Sequence, residues 1–254
     1  EVYPLAWYFM ASIAWESGDK LAAHAYWKKA AQAAPDHCFP HQQEAGLALQ
    51  LAMQQHPEDA KAPYYLGNYW YHFRQYEPAI ACWEKSRQLD DRFSTVHRNL
   101  ALALFNKRQQ PAEAVISLEK AFALDETDAR ILMELDQLYK RLNKPAFFRL
   151  ELLEKYPALV NDRDDLYLER ITLYNLLGRH PEAYELLMAR NFHPWEGGEG
   201  KVAFQYVYSL ISMAKAAIRV ADHQEALALL EKARQYPHNL GEGKLYGAQE
   251  NNID

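Results

Sequence analysis

Cysteine is nearly missing from this chain. Cys38 and Cys82 are the only two in 254 residues. They show neither metal-ligand spacing nor a disulfide framework, which fits a reducing compartment and a cytoplasmic address. Long apolar runs are missing too. Asn, His or Gln breaks each of them short of a membrane span, and no basic segment followed by an apolar one opens the chain as a secretion signal would. Basic clusters are also lacking. Twenty-eight Lys and Arg stand against 34 Asp and Glu, for a net charge of −6, and no run of cations is long enough to follow a phosphate backbone. Nucleic acid is therefore not an expected partner, and neither is a membrane. The sequence opens at Glu1 and stops at "ENNID", and it reads as a segment of a longer protein.

Glycine and proline are scarce, with 10 and 12 residues, and both gather at a few breaks. Between the breaks lie stretches rich in Ala, Leu, Glu, Lys and Gln, which favour helix. A repeated pattern organises them. "AWYFMASIAWESGDKLAAHAYWKKAAQAAP" (6–35) places Trp7, Ala11, Ala14, Gly18, Ala23, Trp27, Ala30 and Pro35 at tetratricopeptide spacing, a period of about 34 residues. "PYYLGNYWYHFRQYEPAIACWEKSRQLD" (63–90) repeats it with Leu66, Gly67, Trp70, Ala79 and Trp83. Weaker copies run through Leu100 and Ala114, Leu132 and Phe148, Tyr167 and Gly178, and Leu210 and Ala226.

Small residues in mid-helix let a partner helix approach, and bulky ones fill the gaps beside them. The expected fold is all-α: a single right-handed solenoid of about six helix pairs over residues 1–254, some degenerate. Residues 41–56 match only the second helix of a repeat. An irregular helical insertion is expected near residues 38–58.

The sequence is equally poor in catalytic signatures. A phosphate-cradling loop is suggested by GEGK, which occurs at 198–201 and 241–244. That loop needs glycine five residues before its Gly-Lys, where Trp195 and His238 stand, and Ser or Thr after the Lys, where Val202 and Leu245 stand. His37, Cys38 and His41 could approach one metal ion, but no fourth ligand is evident. The preferred reading there is a polar loop with Cys38 tucked inward. The sequence has no HExxH, GxSxG or dinucleotide fingerprint. No cofactor, metal site or catalytic residue is expected, and the segment is read as non-enzymatic.

What is present is aromatic. In a tetratricopeptide array the first helix of each pair lines a concave groove. The inward positions read Tyr8, Ser12 and Trp15, then Tyr64, Asn68 and Tyr71, then Arg98, Leu102 and Phe105. Rings beside amides suit a peptide or a sugar. Some arrays of this kind clamp a C-terminal carboxylate, and the matching positions here are Tyr64, Asn68, Asn99, Arg130 and Glu134. Two cations are lost from that pattern, one of them to an acid, so a chaperone-tail clamp is not expected. The candidate groove is Tyr8, Trp15, Tyr64, Asn68, Tyr71, Asn99 and Arg130.

"FPHQQEAGLALQLAMQQHPEDAKAPYYLGNYWYHFRQYEPAIACWEKS", "HPWEGGEGKVAFQY" and "YPHNLGEGKLYGAQENNID" together resemble the tetratricopeptide region of large bacterial proteins that carry a mutarotase-like β-domain of the DUF5107 type. The resemblance implies a cytoplasmic role near carbohydrate metabolism. Its most specific part is the phrase repeated 43 residues on, with Pro194 and Pro237 each four positions before GEGK. Both loops are expected on one edge, with Glu199 and Glu242 near helix starts, where a carboxylate gains about 0.3–1 kcal/mol. Helix capping explains glycine and glutamate but not Trp195, Glu196, Lys201 or Lys244. The edge is thus read either as a structural cap or as a docking or ligand-binding surface. The expected function is an interaction scaffold that docks a carbohydrate-related domain of its own chain or another protein. The alternative is a part of a carbohydrate-active enzyme that contributes the loops or the groove to a shared sugar site.

Overall fold

A computed structural model describes residues 3–35 and 37–243. Among these, fourteen α-helices and one 3-10 turn make up the regular structure, with no strand. The chain divides into two compact units at Glu126/Thr127. In the first unit, α1 (Pro4–Glu16) pairs with α2 (Lys20–Gln32), α4 (Lys61–His72) with α5 (Tyr76–Leu89), and α6 (Ser94–Asn106) with α7 (Pro111–Leu124). In the second, α8 (Ala129–Arg141) is followed by α9 (Ala146–Lys155) and the short α10 (Pro157–Asp162). Two tight pairs complete it: α11 (Asp164–Leu176) with α12 (His180–Met188), and α13 (Lys201–Arg219) with α14 (His223–Ala233).

Each hairpin turns through a single residue of positive φ: Gly18, Arg74, Gln109, Asn143, Gly178 and Ala221. Glycine adopts that conformation at little cost; the other four are held there by closure of the hairpin around them. Aspartates start several second helices or pairs. Asp19 accepts from Ala22 N, Asp128 from Ile131 N, and Asp222 from Glu225 N, each satisfying an otherwise orphaned first-turn amide.

Within pairs the spacing does what the sequence implies. Ala11, Ala23, Ala30, Ala79, Ala114, Ala183 and Ala214 are buried at helix contacts. At the tightest contact the Trp83 ring lies on Gly67, where an added Cβ would stand 2.4 Å from Trp83 Cδ1. The same indole donates to Tyr64 O at 3.2 Å and to Asn68 Oδ1 at 3.1 Å, so α4 and α5 are joined by both shape and polarity. The expected insertion is α3 (Gln43–Gln55), a helix without a hairpin mate that lies between α1 and α4. Gly46 lets the Tyr69 ring approach it. Cys38 is buried as anticipated, beside the hydroxyls of Tyr3 and Tyr65, and burial pushes its thiol pKa up.

The second unit holds an ionic core that the repeat pattern does not foretell. Arg149 of α9 forms two parallel bonds to Asp136 of α8, Nε–Oδ1 at 3.0 Å and Nη2–Oδ2 at 2.7 Å, and a third to Glu169 of α11 at 2.7 Å. Burial opposes charge on the guanidinium, but these bonds outweigh it and hold its pKa above the ordinary value. One buried cation therefore ties three helices together.

Candidate functional site

The proposed groove residues of the first unit are mostly spoken for. Tyr8 is fully buried and donates from its hydroxyl to Asp59 Oδ2 at 2.7 Å, an acceptor 51 residues away. It belongs to the core, which corrects the groove assignment, and the phenol is held well above its usual pKa by burial and by the Asp59 charge. Tyr64 is likewise buried, packed on Phe93 at 4.7 Å and Tyr65 at 5.1 Å. Trp15 tilts against Trp27, with the Lys20 ammonium 3.3 Å from its centroid. Tyr71 packs between Tyr76 and Trp83. Asn99 Nδ2 donates to Asn68 Oδ1 at 3.1 Å, on the same oxygen that Trp83 uses. In the second unit, Arg130 reaches Glu134 on its own helix at 3.3 Å.

The repeated phrases meet. Asn239, in the 3-10 turn His238–Leu240, donates to Leu187 O and Arg190 O at 3.0 Å, and its carbonyl accepts from Phe192 N at 2.8 Å. Gly241 then passes so close to Phe192 that a Cβ would stand 2.2 Å from the Phe192 carbonyl oxygen. This close approach carries Glu242 back across to the first phrase. Its carboxylate accepts from Gly200 N at 2.6 Å and Ala203 N at 2.7 Å. The sequence places Glu242 near a helix start, and the segment that follows it from residue 244 lies outside the described residues. The helix start it serves is that of α13, where the helix dipole and free amides favour an anion. Glu199 makes no such bond and stays exposed. Lys244 lies outside the described residues.

The first phrase is anchored at its entry by Asp164. That carboxylate accepts from His193 N at 2.9 Å and pairs with Arg190, whose guanidinium also lies 4.5 Å over the Tyr167 ring. Burial alone would raise the Asp164 pKa, but the His193 amide and Arg190 outweigh it and hold it below the ordinary value.

So fixed, the loop overhangs the first-helix face of the second unit. A cleft of about 630 Å³ runs between α8, α11 and α13, lined by Gln137 and Lys140, by Leu168 and Thr172, and by Phe204, with Trp195 at its end. Phe204 and Tyr208 stack at 5.9 Å on α13 and remain 61% and 41% exposed. A polar cluster joins the helices: Asn175 of α11 donates to Gln205 Oε1 and Ser209 Oγ of α13, each at 2.9 Å, and His180 of α12 meets Asn175 Oδ1 at 2.9 Å; of these, Gln205 lines the cleft. These buried bonds fix α11 against α13 and so set the width of the cleft. A second cleft of about 490 Å³ lies on the other side of Trp195, closed below by Val202, Leu240 and Gly241. Of the expected edge residues, Trp195, Glu196, Glu199 and Lys201 are brought to this place together. Phe204 and Tyr208 were not anticipated, although two aromatic rings one turn apart on the same face of a helix are the signal that could have found them.

Among solved structures the chain resembles YrrB, described as a TPR protein with an unusual peptide-binding site. The identity is 18%, over 74% of this chain and 91% of that one, with a TM-score of 0.54. It also resembles Pseudomonas aeruginosa pilF at 17% identity, over 91% of this chain and 90% of that one, with a TM-score of 0.50. The fold is a tetratricopeptide array. No family model matches the sequence. Among the described residues no helix is long and apolar enough to cross a membrane.

Proposed function

We propose that this tetratricopeptide segment is a non-catalytic interaction module and that the α8–α11–α13 cleft of its second unit receives an extended segment of a partner. The observation that carries this is exposed Phe204 in the lining of a cleft shared with the Trp195 loop, with exposed Tyr208 stacked on it one turn along α13 and buried polar bonds fixing α11 to α13. Exposed rings on a fixed backbone bury area at small entropic cost. The resemblance to proteins with a mutarotase-like β-domain makes that domain of the same chain the first partner to test. The peptide-binding description of YrrB supports the same kind of contact.

The test is capture by immobilised protein, first of the separately expressed β-domain and then of proteins from bacterial lysate. Phe204→Ser with Tyr208→Ser is expected to weaken capture at least ten-fold while melting temperature and helix content hold. Tyr64→Ala is expected to lower the melting temperature and leave capture intact below it. The reverse pattern, with capture lost through Tyr64 and indifferent to Phe204 and Tyr208, would move the site to the first unit and refute this assignment.

A further inference from the structure

The two clefts share one wall, made by Trp195 with Glu196 and Glu199. The indole rests on its own loop. It lies on Gly198, where a Cβ would come within 2.2 Å of Trp195 Cε2, so the loop backbone supports the ring at that contact. A held aromatic wall between two open clefts is a platform for a flat group.

The charges on that platform are mostly acidic. Among the described residues the smaller cleft is lined by Glu196, Glu199 and Glu242, and by no Lys or Arg. Glu242 is occupied in capping α13. Glu196 and Glu199 are exposed and enter no ion pair or hydrogen bond among the described residues. In the larger cleft Lys140 is held by Glu169 at 2.9 Å, and Lys201 lines the same cleft beside Glu196 and Glu199. Around the indole, then, carboxylates outnumber cations, with Glu196, Glu199 and Glu242 against Lys201. A sugar needs donors as well as acceptors and an enclosing wall, and an acidic tail would meet two like charges. A guanidinium fits: it is planar, stacks on indole, donates through several N–H groups and is permanently charged.

Resting on the cleft reading above, we propose that the Trp195 wall is a subsite for an arginine side chain of the bound segment, stacked on the indole and bonded to Glu196 and Glu199. The partner is thus a basic extended peptide, and the neighbouring cleft over Phe204 takes the residues beside that arginine.

The probe is a fluorescein-labelled octapeptide of alternating Ala and Arg, titrated by anisotropy against the full chain. Its citrulline counterpart keeps the shape and loses the charge. The arginine peptide is expected to bind at least ten-fold more tightly than the citrulline one, with an affinity that falls as salt rises. Glu196→Gln with Glu199→Gln and, separately, Trp195→Leu should each weaken it about ten-fold at unchanged melting temperature. Glu16→Gln with Glu44→Gln, which removes two exposed acids from the first unit, should leave binding as it was. Equal weakening by the remote pair would reduce the effect to diffuse attraction by an acidic protein and overturn the subsite. Equal binding of the citrulline peptide, or displacement of the arginine peptide by free glucose or galactose, would overturn it as well. If the arginine peptide fails to bind while capture still depends on Phe204 and Tyr208, the arginine assignment falls and the cleft reading stands.

Discussion

Arg149→Met is expected to destabilise the second unit by about 3–5 kcal/mol, the cost of leaving a buried charge without its partner. Arg149 and Asp136 have side chains only 4% and 2% exposed, so water cannot replace either. Burial already pushes the Asp136 carboxyl above its ordinary pKa even with the guanidinium on it. Without Arg149 that rise must grow. An acid whose folded pKa lies above its unfolded value destabilises the fold increasingly as pH climbs past the unfolded value. The deficit of Arg149→Met should therefore be largest near neutrality and shrink as Asp136 is protonated on acidification. Arg149→Met with Asp136→Leu should recover most of the loss, since well-packed apolar groups replace buried pairs at little cost. Denaturant unfolding across pH measures all three. A pH-independent deficit would show that Arg149 acts through packing alone.

Gly241→Ala has the second large effect, and it reads out the meeting of the two phrases. Its φ is +70° and the space for a Cβ is taken by the Phe192 carbonyl, so the methyl group meets strain and a backbone clash together. The loop must lift, and Glu242 leaves the amides of Gly200 and Ala203. We expect about 1–3 kcal/mol of destabilisation, with faster hydrogen exchange at those two amides. Glu242→Gln keeps the shape but weakens the charge-assisted bonds, and should cost about 0.5–2 kcal/mol. Unchanged exchange at Gly200 and Ala203 in both variants would refute capping across the two loops.

The hairpins were legible because each needs small residues at fixed intervals, and Ala79, Gly67 and Ala183 sit where the pattern demands. Their turns were legible only at Gly18 and Gly178. Arg74, Gln109, Asn143 and Ala221 adopt positive φ because the hairpin around them closes, which residue preference does not reveal. The groove was harder to read, because an aromatic ring at a nominally inward position serves equally well in a core. Tyr8 is decided by Asp59 and Tyr64 by Phe93, both contacts made only by folding. Glu242 is recognisable as a helix-start residue, but that it serves α13 is not, since nothing local says that the two phrases will touch. The ionic core was invisible for a related reason. Asp136 and Arg149 look like ordinary exposed charges until α8, α9 and α11 converge on them.

Hydrogen exchange of the full chain with and without its captured partner tests the central claim most directly. The account predicts protection on binding in residues 164–176 and 193–213, the α11 and α13 face with the Trp195 loop, and little change in residues 61–106 of the first unit. Protection confined to 61–106, with 164–213 exchanging as in the free protein, would contradict it.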